Sequence, residues 1–88
     1  MEQKYRKVYV TMNLQVKPDG CVVPRSIIWE DGNRYKVDRV RCVTRAAAQK
    51  VGGFGDRYSL VIEGKERYFF CDPEDGRWFT EVPIYNTF

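Results

Sequence analysis

The chain has 88 residues, 15 Lys and Arg against 12 Asp and Glu, no His, 43% hydrophobic residues and 15% aromatic ones. This length allows one domain, residues 1–88, and one core, in which a chain so short buries about 60–65% of its unfolded surface. The mixed charge and high apolar content exclude a disordered chain. A net charge of +3 is too mild to demand a nucleic-acid partner. No apolar run approaches the roughly 20 residues of a membrane-spanning helix, and the charged residues 1–7 precede no apolar stretch, so the expected location is the cytoplasm.

Residues 8–16 alternate, with Val8, Val10, Met12, Leu14 and Val16 on one side and Tyr9, Thr11, Asn13 and Gln15 on the other. That is the pattern of a half-buried strand. Pro18-Asp19-Gly20 makes a three-residue loop that sets Val16 opposite Val22, Met12 opposite Ser26 and Val10 opposite Ile28. The next turn, centred on Asp31-Gly32, pairs Trp29 with Arg34, Ile28 with Tyr35 and Arg25 with Asp38. Ile28, Tyr35 and Val37 then face inward. The apolar register afterwards moves to Val40 and Cys42, which requires one extra residue, a β-bulge near Asp38 and Arg39.

Residues 44–56 break the alternation. Three alanines at 46–48 favour a helical turn near residues 45–50, ended by Gly52, Gly53 and Gly55. Strand pattern resumes with Tyr58, Leu60 and Ile62. A three-residue loop around Gly64 places Tyr68 and Phe70 on their face, and a turn over residues 73–75 sets Phe70 against Trp78, with Thr80 and Val82 continuing the row. The sum is an all-β domain of about six antiparallel strands in a meander, curled into a small, partly open barrel of SH3-like or OB-like kind.

The chemistry narrows by elimination. Without His, the commonest general base is missing. The pairs Glu30-Asp31 and Glu74-Asp75 sit inside turn motifs, where acidic residues serve local hydrogen bonding. Cys21, Cys42 and Cys71 are odd in number and widely spaced, which points to free thiols rather than a metal site. Gly52-Gly53-Phe54-Gly55 lacks the Gly-Lys-Ser or Gly-Lys-Thr of a nucleotide loop, leaving a flexible connection or a small anion nest with Arg57. Neither catalysis, a cofactor nor a metal is expected.

Two surfaces remain. The outer face of the second hairpin carries Trp29, Arg34 and Lys36, followed by Arg39, Arg41 and Arg45. Five of these six are basic, and an aromatic ring beside them suits single-stranded nucleic acid, in which phosphates pair with cations and bases stack. The same residues also suit a solvated sheet face, with Arg34 over Trp29 and Arg25 against Asp38. Val61, Phe69 and Phe79, with Phe88 from the tail, have the wrong parity for the core. They either pack under residues 44–56 and the tail or form an apolar patch for a partner or a second copy.

The motif order from Pro24-Arg25-Ser26-Ile27-Ile28-Trp29-Glu30-Asp31-Gly32-Asn33-Arg34-Tyr35-Lys36-Val37-Asp38 through Gly52-Gly53-Phe54-Gly55 to Trp78-Phe79-Thr80-Glu81 resembles that of small uncharacterised bacterial all-β proteins. That resemblance implies no activity. The Trp29 to Val40 hairpin is also similar to a domain of unknown function associated with lesion-bypass DNA polymerases, which implies an affinity for nucleic acid. The expectation is a binding module that engages a protein partner or itself, with weak, salt-dependent nucleic-acid binding through Trp29, Arg34, Lys36, Arg39, Arg41, Arg45 and Arg57 as the alternative.

Overall fold

A computed structural model describes residues 4–47 and 54–84. They form seven antiparallel strands: β1 (Lys4–Val16), β2 (Val22–Ile28), β3 (Arg34–Lys36), β4 (Arg39–Ala47), β5 (Phe54–Ile62), β6 (Lys65–Cys71) and β7 (Trp78–Ile84). The fold is all-β, and the sheet is curled like a half-barrel, as a small open barrel requires. Among the described residues no helix is long and apolar enough to cross a membrane. The expected helical turn is not found at residues 45–47, which continue β4. Residues 48–50 lie outside the described residues.

The strand order is β3-β2-β1-β7-β6-β5-β4, so the first and last strands are neighbours and the sheet is not a simple meander. The long β1 makes this order workable. Its first half, Lys4 to Val10, pairs with β7, and its second half, Thr11 to Val16, pairs with β2. At the other side, one length of chain serves two neighbours in the same way. Val37 N–H donates to Arg25 O at 2.9 Å, and the next amide, Asp38 N–H, donates to Val61 O at 2.8 Å. Successive amides of an extended chain point to opposite sides, so the passage from β3 to β4 ties β2 to β5.

Loop lengths decide which residues enter the core. Gly20 N–H to Lys17 O and Lys17 N–H to Cys21 O close the first hairpin around the expected three-residue loop, and Val16 pairs with Val22. The register then slips between Asn13 and Leu14, because Leu14 faces Pro24 while Asn13 faces Ser26. Arg25 is the extra residue, a bulge that turns the rest of β2 over. The second loop also has three residues, closed by Trp29 N–H to Asn33 O. Ile27 therefore faces both Met12 and Tyr35, and it is Ile27, 2% exposed, rather than Ile28 that fills the core. Asp38 and Arg39 both stand against Val61, the irregularity expected there, and a further register shift follows at Arg41.

The last two hairpins differ from expectation in the same manner. Glu63 and Gly64 form a two-residue loop between the paired Ile62 and Lys65. Both have positive φ, 52° and 76°, as the turn matched to a right-twisted hairpin demands. This sets Phe69, not Tyr68 or Phe70, beside Tyr58 and Leu60. The final loop spans residues 73–76, closed by Asp72 N–H to Arg77 O, and pairs Phe70 with Phe79 and Cys71 with Trp78.

The resulting core is Ile27, Val37, Leu60, Ile62, Phe69 and Trp78, with Val10, Met12, Trp29, Tyr35, Val40, Tyr58 and Cys71 packed around it. Each fully buried side chain of this size stabilises by about 1.5–3 kcal/mol. A second aromatic group forms on the opposite side of the sheet. Phe70 and Phe79 stack at 5.2 Å, Tyr9 meets Phe79 edge-on at 6.0 Å, and the Lys7 ammonium lies 4.4 Å from the Phe79 ring centre. Val61 is half-buried, while Phe69 and Phe79 are 2% and 1% exposed. The three therefore do not form the exposed patch that their parity allowed, and Phe88 lies outside the described residues.

Two substitutions check this register. Ile27→Ala is expected to cost about 2–5 kcal/mol in urea unfolding and Ile28→Ala distinctly less, whereas the opposite ranking would restore the slipped pairing. Gly55→Ala is expected to destabilise by about 1–3 kcal/mol, since its Cβ would collide with the Cys71 carbonyl oxygen and sit 2.9 Å from that carbonyl carbon.

Candidate functional site: the groove where β6 and β7 part

β6 and β7 pair at two positions and then separate. Beyond that point, β6 remains paired with β5 as far as Lys65, and β7 remains paired with β1 as far as Ile84. The Thr80 hydroxyl donates to Tyr68 O at 2.7 Å and closes the apex of the gap. Pro83 stands in β7 opposite Tyr5. With no N–H to offer, it suits a strand whose edge has left the ladder.

A groove of about 390 Å³ runs along this seam. Ile62, Phe69, Thr80, Val82 and Pro83 form its floor and one wall, and Ile27, Trp29 and Tyr35 of the β2–β3 hairpin form the other. Asp31, Glu63, Lys65, Arg67 and Glu81 line the rim with both signs of charge. Apolar side chains thus make up about half of the lining, and charged ones most of the rest. The hairpin wall is tied to β1 by Arg6, whose guanidinium meets the Glu30 carboxylate at 2.7 Å and 3.3 Å. That contact holds the Glu30 carboxyl below its ordinary range.

The sequence-selected basic residues do not gather beside Trp29. The shorter register turns Trp29, half-buried, inward to the groove, whereas Arg34 and Lys36 flank Tyr35 on β3 and are exposed. The expected Arg34–Trp29 stack is replaced by Arg57 over Tyr68 at 4.8 Å and Arg77 over Tyr9 at 3.5 Å. Arg25, expected against Asp38, donates its Nε to Gln15 Oε1 at 2.7 Å. Arg39 and Arg41 are exposed on β4, and Arg45 stands opposite Asp56 in the β4–β5 register. Tyr35, Lys65, Arg67 and Val82 were not selected from the sequence, whereas Phe69 was, as part of an outer patch rather than of this groove. The signal available for them was Pro83 within an otherwise regular strand.

On the other side of β5 and β6, Glu66 is the centre of a charged group. Arg41 Nε lies 3.3 Å from its carboxylate, and the Tyr68 hydroxyl donates to it at 3.0 Å. The nearby Ser59 hydroxyl, Tyr68, Arg41 and Arg57 hold the Glu66 carboxyl below 4.5. Ser59 Oγ, buried beside this group, completes no hydrogen bond of good geometry among the described residues. Among the thiols, Cys21 and Cys42 are exposed and Cys71 is half-buried. Burial first, then Asp56, Asp72 and Asp75, push the Cys71 thiol up, which keeps it protonated and poorly nucleophilic at neutral pH. Among the described residues no three His, Cys, Asp or Glu side chains converge as a metal site would need.

No family model matches this chain, and no curated protein or solved structure does either.

The Glu66 group gives a pH test. Its folded pKa lies below its unfolded value, so its contribution is present above about pH 4.5 and is lost as pH falls through the folded pKa. In an NMR titration the Glu66 carboxyl is expected to have its midpoint below 4.5 and to move upward in Arg41→Ala and in Tyr68→Phe. A midpoint unchanged by both substitutions would remove these contacts as its cause.

Proposed function

We propose that this protein is a binding module that takes an extended segment of a partner protein into the groove between β6, β7 and the β2–β3 hairpin. One observation carries the reading. The sheet opens at the β6–β7 seam beside Trp29, Tyr35 and Phe69, bringing together aromatic side chains and two strands that, among the described residues, pair with each other at only two positions. Extended peptides are held in this way, by main-chain hydrogen bonds to an open edge and by pockets for alternate side chains. Trp and Tyr are also the residues that most often anchor such contacts. Self-association belongs to the same reading if the segment comes from a second copy. A cytoplasmic location fits three thiols in no disulfide, and kinship with small bacterial all-β proteins remains part of the proposal.

Nucleic-acid binding is the second reading, favoured by Arg57 over Tyr68, which is 46% exposed, and by Arg39 and Arg41 exposed on β4. It has lost Trp29 as a stacking platform on that face, and Glu66 already engages Arg41.

Selection from a displayed library of random dodecapeptides tests the first reading. Enriched sequences are expected to bind the wild type and to lose at least tenfold in affinity on Trp29→Ala, with the circular dichroism of the fold retained. Absence of enrichment, together with monomeric sedimentation at all concentrations, would reject the groove as a protein site. Oligonucleotide binding that weakens steeply with salt and disappears in Arg39→Glu/Arg41→Glu would favour the second reading.

A further inference from the structure

β4 is a terminal strand of the sheet, and its nine residues from Arg39 to Ala47 pair with β5 alone. Among the described residues its other edge makes no main-chain hydrogen bond. Arg39, Arg41, Cys42, Val43 and Thr44 are all exposed along it. A long open edge invites pairing by another chain, and native sheets usually shorten, cover or charge such edges. Here the charge has one sign. β4 carries Arg39, Arg41 and Arg45 and no acidic residue, and Arg57 stands on the neighbouring β5, although Arg41 is shared with Glu66 of β6 at 3.3 Å, which leaves Arg39 as the less engaged cation of the pair.

This pattern selects among occupants. A second copy docked β4 to β4 would set three arginines against three, and like charges across strands are destabilising. A nucleic acid would use the arginines but not the main-chain donors and acceptors. An acidic extended segment uses both. Its carboxylates would lie beside Arg39 and Arg41 on one face, and its alternate apolar side chains would lie beside the half-buried Val40 and Val43, which is 49% exposed, on the other. From the open edge and its single sign of charge, we propose that β4 is a strand-addition site for an acidic, alternately apolar segment of a partner protein. This site is separate from the groove, on a different strand, and does not depend on it.

The probe is a fluorescein-labelled nonapeptide of alternating Glu and Val, titrated against the full chain at low and moderate salt. It is compared with its Lys and Val counterpart and with two Glu and Val peptides N-methylated at alternate residues, one in each frame. An added strand turns alternate amides toward β4, so methylation is expected to weaken binding at least tenfold in one frame and little in the other. The Lys peptide is expected not to bind, and the β4 amides are expected to gain protection from hydrogen exchange. Arg39→Glu/Arg41→Glu is expected to lose at least tenfold with its circular dichroism unchanged, while Trp29→Ala binds as the wild type does. The last result separates this site from the groove, since groove binding would fail in Trp29→Ala and leave this site intact. No binding by the Glu peptide, or equal binding in both methylated frames, overturns the proposal. Concentration-dependent protection of β4 without peptide would overturn it in favour of a second copy. Displacement of the peptide by oligothymidylate, with no effect of methylation, would overturn it in favour of nucleic acid.

Discussion

The double use of the long β1 and of the short passage through Val37 and Asp38 constrains everything else in this fold. β1 gives its first half to β7 and its second half to β2, and the chain through Val37 and Asp38 joins β2 to β5. A small chain cannot bury enough surface in a flat sheet, and these two shared stretches curl it without a helix to cover one face. The core of Ile27, Leu60, Phe69 and Trp78 collects inside that curl, contributed by β2, β5, β6 and β7.

The same arrangement produces the groove. Because β1 holds β7 on one side while β5 holds β6 on the other, the two strands are free to part once Phe70–Phe79 and Cys71–Trp78 have paired. A hydrogen bond from Thr80 to the Tyr68 carbonyl marks the place where the ladder ends. The β2–β3 hairpin, clamped by Arg6 and Glu30, then supplies the aromatic wall opposite the gap. This surface ion pair is of modest strength by itself. Its value lies in fixing where the wall stands.

The two sides of the sheet differ in chemistry. The concave side combines Trp29 and Tyr35 with a rim of mixed charge, which suits recognition by shape and apolar contact. The other side sets Arg41 against Glu66 and Arg57 over Tyr68. Its charge is partly neutralised within the protein, which limits how strongly it draws a polyanion.

Much of this was legible in the residues themselves. The alternation over residues 8–16, the Asp-Gly and Glu-Gly turns and the β-branched and aromatic runs determined an antiparallel all-β domain, the existence of each hairpin and the Val16–Val22 register of the first. The inward faces of β1, β5 and β7 followed from the alternation, but the sequence could not decide which face β2 and β6 turned inward. A strand has a side-chain period of two, so one residue more or less in a loop, or one bulge, exchanges its faces. Arg25 as a bulge, a two-residue loop at Glu63-Gly64 and a four-residue loop at 73–76 moved Ile27, Trp29 and Phe69 inward. They also separated Trp29 from the basic residues read beside it. Local sequence determined where the chain turns, because turn chemistry is a property of two to four adjacent residues. Only the tertiary structure decided which side chains meet, because that depends on registers summed across strands distant in sequence.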